Sequence, residues 1–204
     1  MKQLIAELLE SGYLKTPRII EAFKKIDRKD FVLERYKNEA YLNTPLPIGH
    51  GQTISQPLTV AFMLELLQPD SDNKILEIGS GSGWQTTLLA EIVGEQGRIF
   101  AMEIIPDLEA FGRKNISKYN FLKRGIVKSF CRNANKGLEE EAPFDRIIAA
   151  ASAERLPEAW KKQLKINGRL VAPVQNSIYL LVKKEENRFE EQSYPGFAFV
   201  PFVT

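Results

Sequence analysis

The apolar positions of this chain keep one rhythm up to about residue 70 and another beyond it. Leu4, Ile5, Leu8 and Leu9 recur at helical spacing, and Gly12 follows as a candidate C-terminal cap. Thr16-Pro17 reads as an N-cap with proline at the first helical position, and Ile19, Ile20, Ala22 and Phe23 supply the apolar face. Residues 41–56 mix prolines and glycines with polar residues and predict an ordered loop. Pro57 then opens a helix with Leu58, Ala61, Leu64 and Leu67 on one side.

From Lys74 short apolar runs alternate with helical stretches. "KILEI" predicts a strand, residues 84–93 a helix, "RIFAME" a second strand, and residues 107–119 another helix. "GIVKSF" and "DRIIAAA" predict the third and fourth strands. "PEAWKKQLK" reads as a helix opened by Pro157, and "GRLVAPV" as the fifth strand. "SIYLLVKK" and "FAFVPFV" predict late, antiparallel strands. Strands alternating with helices imply an α/β fold: a Rossmann-like, doubly wound, mostly parallel sheet with helices on both faces and right-handed crossovers. The chain is then one domain over 1–204, with an N-terminal helical cap and loop over 1–56 and a cofactor-binding core over 57–204.

Composition narrows the chemistry. A chain of 204 residues, 44% hydrophobic and 26% charged, is long enough for one sizeable core. A formal net charge of +2 gives no electrostatic case for nucleic acid or membrane as partner. One cysteine, Cys131, and one histidine, His50, argue against a His- or Cys-rich metal site. The single cysteine suits a reducing, cytoplasmic setting. No run is apolar enough to span a membrane, and "MKQLIAELLESGYLK" is too charged for a signal peptide. Cys131 reads as a small buried strand residue, and His50 as a loop residue with local hydrogen bonds. Lys161, Lys162 and Lys165 read as the solvated face of a helix. Trp84 and Trp160 read as packing residues, Trp84 close enough to the glycine loop to touch a ligand.

The phrase "ILEIGSGSGWQ" carries the most information. In a parallel sheet, ligands bind at the carboxyl ends of the strands beside the first crossover, where this loop falls. Glycines at 79, 81 and 83 let the backbone turn sharply and approach a ligand. Glu103 ends the second strand twenty residues after Gly83, the place for a carboxylate that accepts from both ribose hydroxyls of an adenosine cofactor. A dinucleotide loop needs Gly-x-Gly-x-x-Gly, and here Trp84 stands in the last glycine's place. Glu77, just before the loop, is unfavourable beside a pyrophosphate and suits the cationic amino-acid end of S-adenosylmethionine.

With "AYLNTPLPIGHGQTISQP", "APFDRII", "LPEAWKKQLKINGRLVAPV" and the closing "FVPF", the chain resembles the protein-L-isoaspartate O-methyltransferases along nearly its whole length. The segment "PLPIGHGQTISQP" is the specific part. The resemblance implies methyl transfer from S-adenosyl-L-methionine to the free α-carboxylate of isoaspartyl residues in damaged peptides and proteins, by a cytoplasmic, mostly monomeric enzyme. It implies a catalytic role for Ser55, with Thr53 and Ile54 beside it at the substrate. It assigns the cofactor to Glu77, Gly79, Ser80, Gly81 and Gly83 in the first motif, to Glu103 and Ile104 at the second strand, and to Asn133 and Ala134 near the adenine. The sequence departs from the family at Arg132-Asn133-Ala134 in place of Gly-Asp-Gly, at Gln175 in place of glycine, and at Asn43 in place of aspartate. Another methyl acceptor, a small acid or an RNA, and a cofactor-binding homologue with impaired transfer remain as alternatives.

An α-carboxylate has a reference pKa near 3.5 and is ionised at neutral pH, so the implied reaction needs no general base. Catalysis then rests on alignment and on removal of water. Pro57 leaves Ser55 or Gln56 near a helix N-terminus, which attracts anions. On the residues alone, Ser55 reads first as a helix cap, and it is the family resemblance that favours the catalytic role.

Overall fold

The computed structural model describes residues 1–202. Helices α1 (Lys2–Glu10) and α2 (Pro17–Lys25) begin the chain, followed by two short 3-10 turns and a hairpin of β1 (Leu46–Gly49) and β2 (Gln52–Ile54). Then come α3 (Pro57–Leu67), β3 (Lys74–Ile78), α4 (Trp84–Val93), β4 (Arg98–Glu103), α5 (Pro106–Ser117) and β5 (Val127–Cys131). The chain closes with β6 (Phe144–Ala149), α6 (Glu158–Lys162), β7 (Leu164–Val174), β8 (Ser177–Glu185) and β9 (Arg188–Pro195).

Seven strands form one sheet in the order β5-β4-β3-β6-β7-β8-β9. The first five in that order are parallel, and β8 and β9 are antiparallel additions. The central strand β3 is buried on both faces, with apolar side chains at three of its five positions. Ile75 enters one core cluster, with Val60 and Leu64 of α3 and Leu88 and Leu89 of α4. Leu76 and Ile78 enter the other, under Trp160 of α6 and Phe144. The sheet grows in opposite directions from β3 and β6, so the crevice at their carboxyl ends is the topological switch point.

The N-terminal helices join the first cluster. Phe23 meets the Trp84 ring edge-on at 5.7 Å, and Leu4, Ile5 and Leu8 are buried. The Thr16 hydroxyl donates to Glu65 of α3 at 2.6 Å, which ties α2 to α3.

The element reading needs four corrections. Residues 41–56 contain the β1–β2 hairpin, whose strands are too short and too rich in proline and glycine to show alternation. The helix read as "PEAWKKQLK" spans only Glu158–Lys162, with Pro157 as N-cap, because Leu164 already pairs with Phe144 in the sheet. Lys165 therefore belongs to β7 and pairs with Asp145 at 2.7 Å. The last strand is the polar Arg188–Pro195; it is an edge strand with both faces largely in water, so no apolar alternation marks it. Up to Phe202, "FAFVPFV" is a strap held by one bridge, Ser152 to Pro201; Val203 lies outside the described residues. Its apolar side chains serve packing, with Phe197 stacked on Phe62 and Phe202 edge-on to Trp160.

Candidate active site

At the switch point the glycine loop, the end of β4, the β1–β2 hairpin and the C-terminal strap enclose one cavity. Gly79, Ser80 and Gly81 form its floor, and Thr53, Ile54 and Ser55 line one side. Glu103, Ile104 and Ala134 line it further along, and Val200, Pro201 and Phe202 close it from the strap.

The loop turns as its glycines allow. Gly79 and Gly81 have φ of 79° and 49°, left-handed values that side chains resist. A Cβ on Gly81 would come within 3.3 Å of Ile48 in the hairpin. Gly83 serves packing: it does not line the cavity, and a Cβ there would come within 2.8 Å of Ile116 and 2.9 Å of the Gly112 carbonyl of α5. The third glycine of the loop thus stands at a helix–helix contact beside the cavity wall.

Glu103 is nearly buried. Its carboxylate accepts from Gly81 N at 2.9 Å, Ile104 N at 2.8 Å and Ile105 N at 3.1 Å. It thus fastens the glycine loop to the end of β4 while bordering the cavity. A carboxylate has about four acceptor sites, so capacity remains for a sugar hydroxyl.

Glu77, expected at the cofactor, stands next to the loop. It is wholly buried behind the loop and does not line the cavity. Gln85 Nε2 donates to its Oε1 at 3.1 Å, its Oε2 has no partner, and the Thr86 hydroxyl faces the carboxyl without hydrogen-bond geometry. Burial pushes its pKa up to about 7, the Thr86 and Gln85 side chains pull it back, and the Glu103 charge adds to the rise. Gln85 does line the cavity, so Glu77 reaches it only through that amide.

Asn133, expected near the adenine, lies in a turn at the edge of the cavity. Its Oδ1 accepts from Asn135 N at 2.7 Å, closing a local turn, and the residue does not line the cavity. Arg132 and Ala134 on either side do. The Arg132 guanidinium lies over Phe130 at 5.2 Å and pairs with Glu140.

Ser55 lies between β2 and α3. The N-cap of α3 is Gln56, whose side chain donates to the Asn43 carbonyl, and Asn43 Oδ1 accepts from Leu58 N at 3.0 Å. The helix is therefore capped by Asn43 from outside. Either carboxylate or amide can accept that bond, which accounts for asparagine at this position. No hydrogen bond among the described residues occupies the Ser55 hydroxyl, and Ser55 lines the cavity.

His50, at the hairpin turn with φ of 53°, reaches Asp107 of α5 at 3.0 Å; its partner is fifty-seven residues away rather than local. Cys131 is exposed, because it ends the edge strand β5. Trp84 is both packed and cavity-lining. Sequence reasoning missed Ile105, Leu108, Gln85 and Arg132. Ile105 and Leu108 lie shortly after Glu103 and give the cavity an apolar wall able to pack a flat ring.

A family model described as Protein-L-isoaspartate(D-aspartate) O-methyltransferase matches residues 1–204. The chain belongs to this family. A Methanopyrus kandleri protein-L-isoaspartate O-methyltransferase is 39% identical over 206 residues, covering 99% of this chain and 90% of the relative. One from Aeropyrum pernix is 38% identical, covering 98% and 78%. A Plasmodium falciparum structure described as a protein-L-isoaspartate O-methyltransferase, in complex with S-adenosyl-L-homocysteine, superposes with a TM-score of 0.89 at 27% identity over 99% of this chain and 97% of that one. The isoaspartate methyltransferase fold thus extends over the N-terminal helices, the hairpin and the strap as well as the sheet.

Proposed function

We propose that the cavity carries out the family's reaction, with Ser55 receiving the acceptor carboxylate and the glycine loop and Glu103 holding S-adenosyl-L-methionine. The protein is an S-adenosylmethionine-dependent methyltransferase of isoaspartyl residues in damaged proteins. The observation that carries the residue assignment is the single cavity shared by Ser55, the glycine loop and Glu103. The residues fit the cofactor. A loop without Cβ atoms at Gly79 and Gly81, an acidic end to β4 and the apolar pair Ile105 and Leu108 match an adenosine, and among the described lining residues Arg132 is the one cationic side chain, too few for a pyrophosphate. Bound there, S-adenosylmethionine supplies a methyl group on a cationic sulfur.

The chain's own residues do the remaining work. The Ser55 hydroxyl is free to donate to a carboxylate at the N-terminal side of α3, where the helix field favours an anion. Thr53 and Ile54 extend that side of the cavity. The strap at Val200–Phe202 and the hairpin exclude water, which strengthens each electrostatic contact inside. No base is assigned, because the acceptor is already ionised.

The same reading has the protein act as a monomer in the cytoplasm on isoaspartyl proteins, and its net charge of +2 gives no electrostatic case for nucleic acid. None of the helices in the described residues is long and apolar enough to cross a membrane.

The test pairs methyl-labelled S-adenosylmethionine with matched isoaspartyl and aspartyl peptides. Base-labile label on the isoaspartyl peptide alone is expected. Ser55→Ala should lower kcat/KM about ten- to hundredfold, the worth of one hydrogen bond to a charge, roughly 1.5–3 kcal/mol. S-Adenosylhomocysteine affinity and thermal stability should hold. Unchanged methylation by the variant would remove Ser55 from the mechanism.

A further inference from the structure

Arg28 is fully buried and makes no ion pair among the described residues. Its two Nη atoms are spent on carbonyl oxygens, while the buried Nε has no partner among the described residues. Nη1 donates to Ala40 O at 2.8 Å and, at 3.4 Å, to Leu42 O; Nη2 donates to Thr44 O at 3.0 Å and Ser55 O at 3.1 Å. The group lies 5.2 Å from the centre of the Trp84 ring, at the end of the glycine loop. Burying an unpaired charge is expensive, and an apolar side chain would fill the space at less cost. The arrangement therefore asks for a purpose beyond filling.

Two of the bonded segments meet at the acceptor side of the cavity. The turn at 40–44 carries Asn43, which caps α3 and accepts from Gln56. Ser55 itself belongs neither to β2, which ends at Ile54, nor to α3, which starts at Pro57. No ladder or helix bond fixes its backbone, and the bond from Arg28 to its carbonyl does so instead. From these contacts we propose that Arg28 is a positioning residue, holding the Ser55 backbone so that its hydroxyl meets the methyl acceptor. The proposal rests on the Ser55 assignment above. A misplacement of about 1 Å can cost on the order of a hundredfold in rate, so a single fixed carbonyl suffices to matter. The planar fork is what the site requires, because an ammonium cannot serve four carbonyls spread across its plane. Desolvation lowers the guanidinium pKa to about 10, which leaves it charged at neutral pH, so lysine preserves charge while removing the fork.

The experiment is a cycle of Arg28→Lys, Ser55→Ala and the double variant, read by peptide kcat/KM, S-adenosylhomocysteine Kd and thermal unfolding. Arg28→Lys should lower kcat/KM for the isoaspartyl peptide about tenfold or more, with Kd within about twofold of the parent. In the Ser55→Ala background the same change should cost less than about threefold, since the hydroxyl it positions is gone. Full additivity, unchanged kinetics, or a matching loss of S-adenosylhomocysteine affinity would overturn the proposal. If Ser55→Ala alone leaves methylation intact, the Ser55 assignment fails and this one with it. If Ser55→Ala slows transfer but Arg28→Lys adds independently, only the Arg28 role fails. Should Arg28→Lys not fold, Arg28→Gln takes its place; failure of both to fold would make the role one of stability and end the proposal.

Discussion

A carboxyl group sealed from the surface, with no paired cation and one unpartnered oxygen, holds its proton well above the usual range, and Glu77 meets all three conditions among the described residues. Its pKa of about 7 in the fold, against an ordinary 4.5, means the native state binds a proton that the unfolded chain has released. The sign follows from linkage: the folded state is favoured by the neutral form, so that contribution is full below about pH 4.5 and is lost as pH rises through about 7. At about 1.4 kcal/mol for each unit between the two values, the loss approaches about 3 kcal/mol. Glu77→Gln keeps the Gln85 contact and cannot ionise. Urea unfolding of both proteins should agree near pH 4 and diverge above pH 8, with the variant more stable. Parallel curves would mean the carboxylate is stabilised by something other than these contacts. Glu77 was legible in the sequence as an acid before a glycine loop, but its position behind that loop was not. Asn133 repeats the lesson: its place in the turn was readable, and the local hydrogen bond it accepts from Asn135 was not.

At the scale of elements, local chemistry decides where backbone geometry is demanding. The β7–β8 hairpin closes over two residues, with Val174 paired to Ser177 and Gln175 at φ of 53°. A first turn position with positive φ calls for glycine. Gln175→Gly should raise stability by about 0.5–1 kcal/mol in chemical denaturation, with methylation unaffected. A loss of stability would show that the Gln175 side chain compensates for its own strain. Here the departure from the family's glycine is a local cost. Elements with a buried face were readable: β3, β4, α4 and the start of α3 follow their patterns closely. Those without one were not. The edge strand β9 has no core to alternate against, and the apolar strap after it resembles a strand in composition while pairing through a single bridge.

At the scale of the molecule, the N-terminal helices share the core of the sheet. Leu4, Ile5, Leu8, Ile19, Phe23 and Ile26 are all buried in the cluster that contains Trp84 and Leu88. Six such side chains contribute roughly 9–18 kcal/mol of burial, as much as the whole stability of an ordinary domain. Deleting residues 1–26 should therefore abolish cooperative unfolding and S-adenosylhomocysteine binding together. A truncated protein that unfolds cooperatively and binds normally would make the helices a detachable domain. The sequence by itself determined what neighbours along the chain can specify. It set the strand, glycine loop and helix around Gly79 and Gly81, the acid closing the next strand at Glu103, and the serine ahead of Pro57. These depend on dihedral preferences and on spacing within one βαβ unit. Only the tertiary structure decided that Ser55, Arg132, Leu108 and Val200–Phe202 border one cavity, that Asn43 caps α3, and that Arg28 grips the carbonyl of Ser55. Those contacts follow from strand order and from the way the hairpin and strap fold over the switch point. Periodicity records which face of an element is buried, but not which distant residue it is buried against.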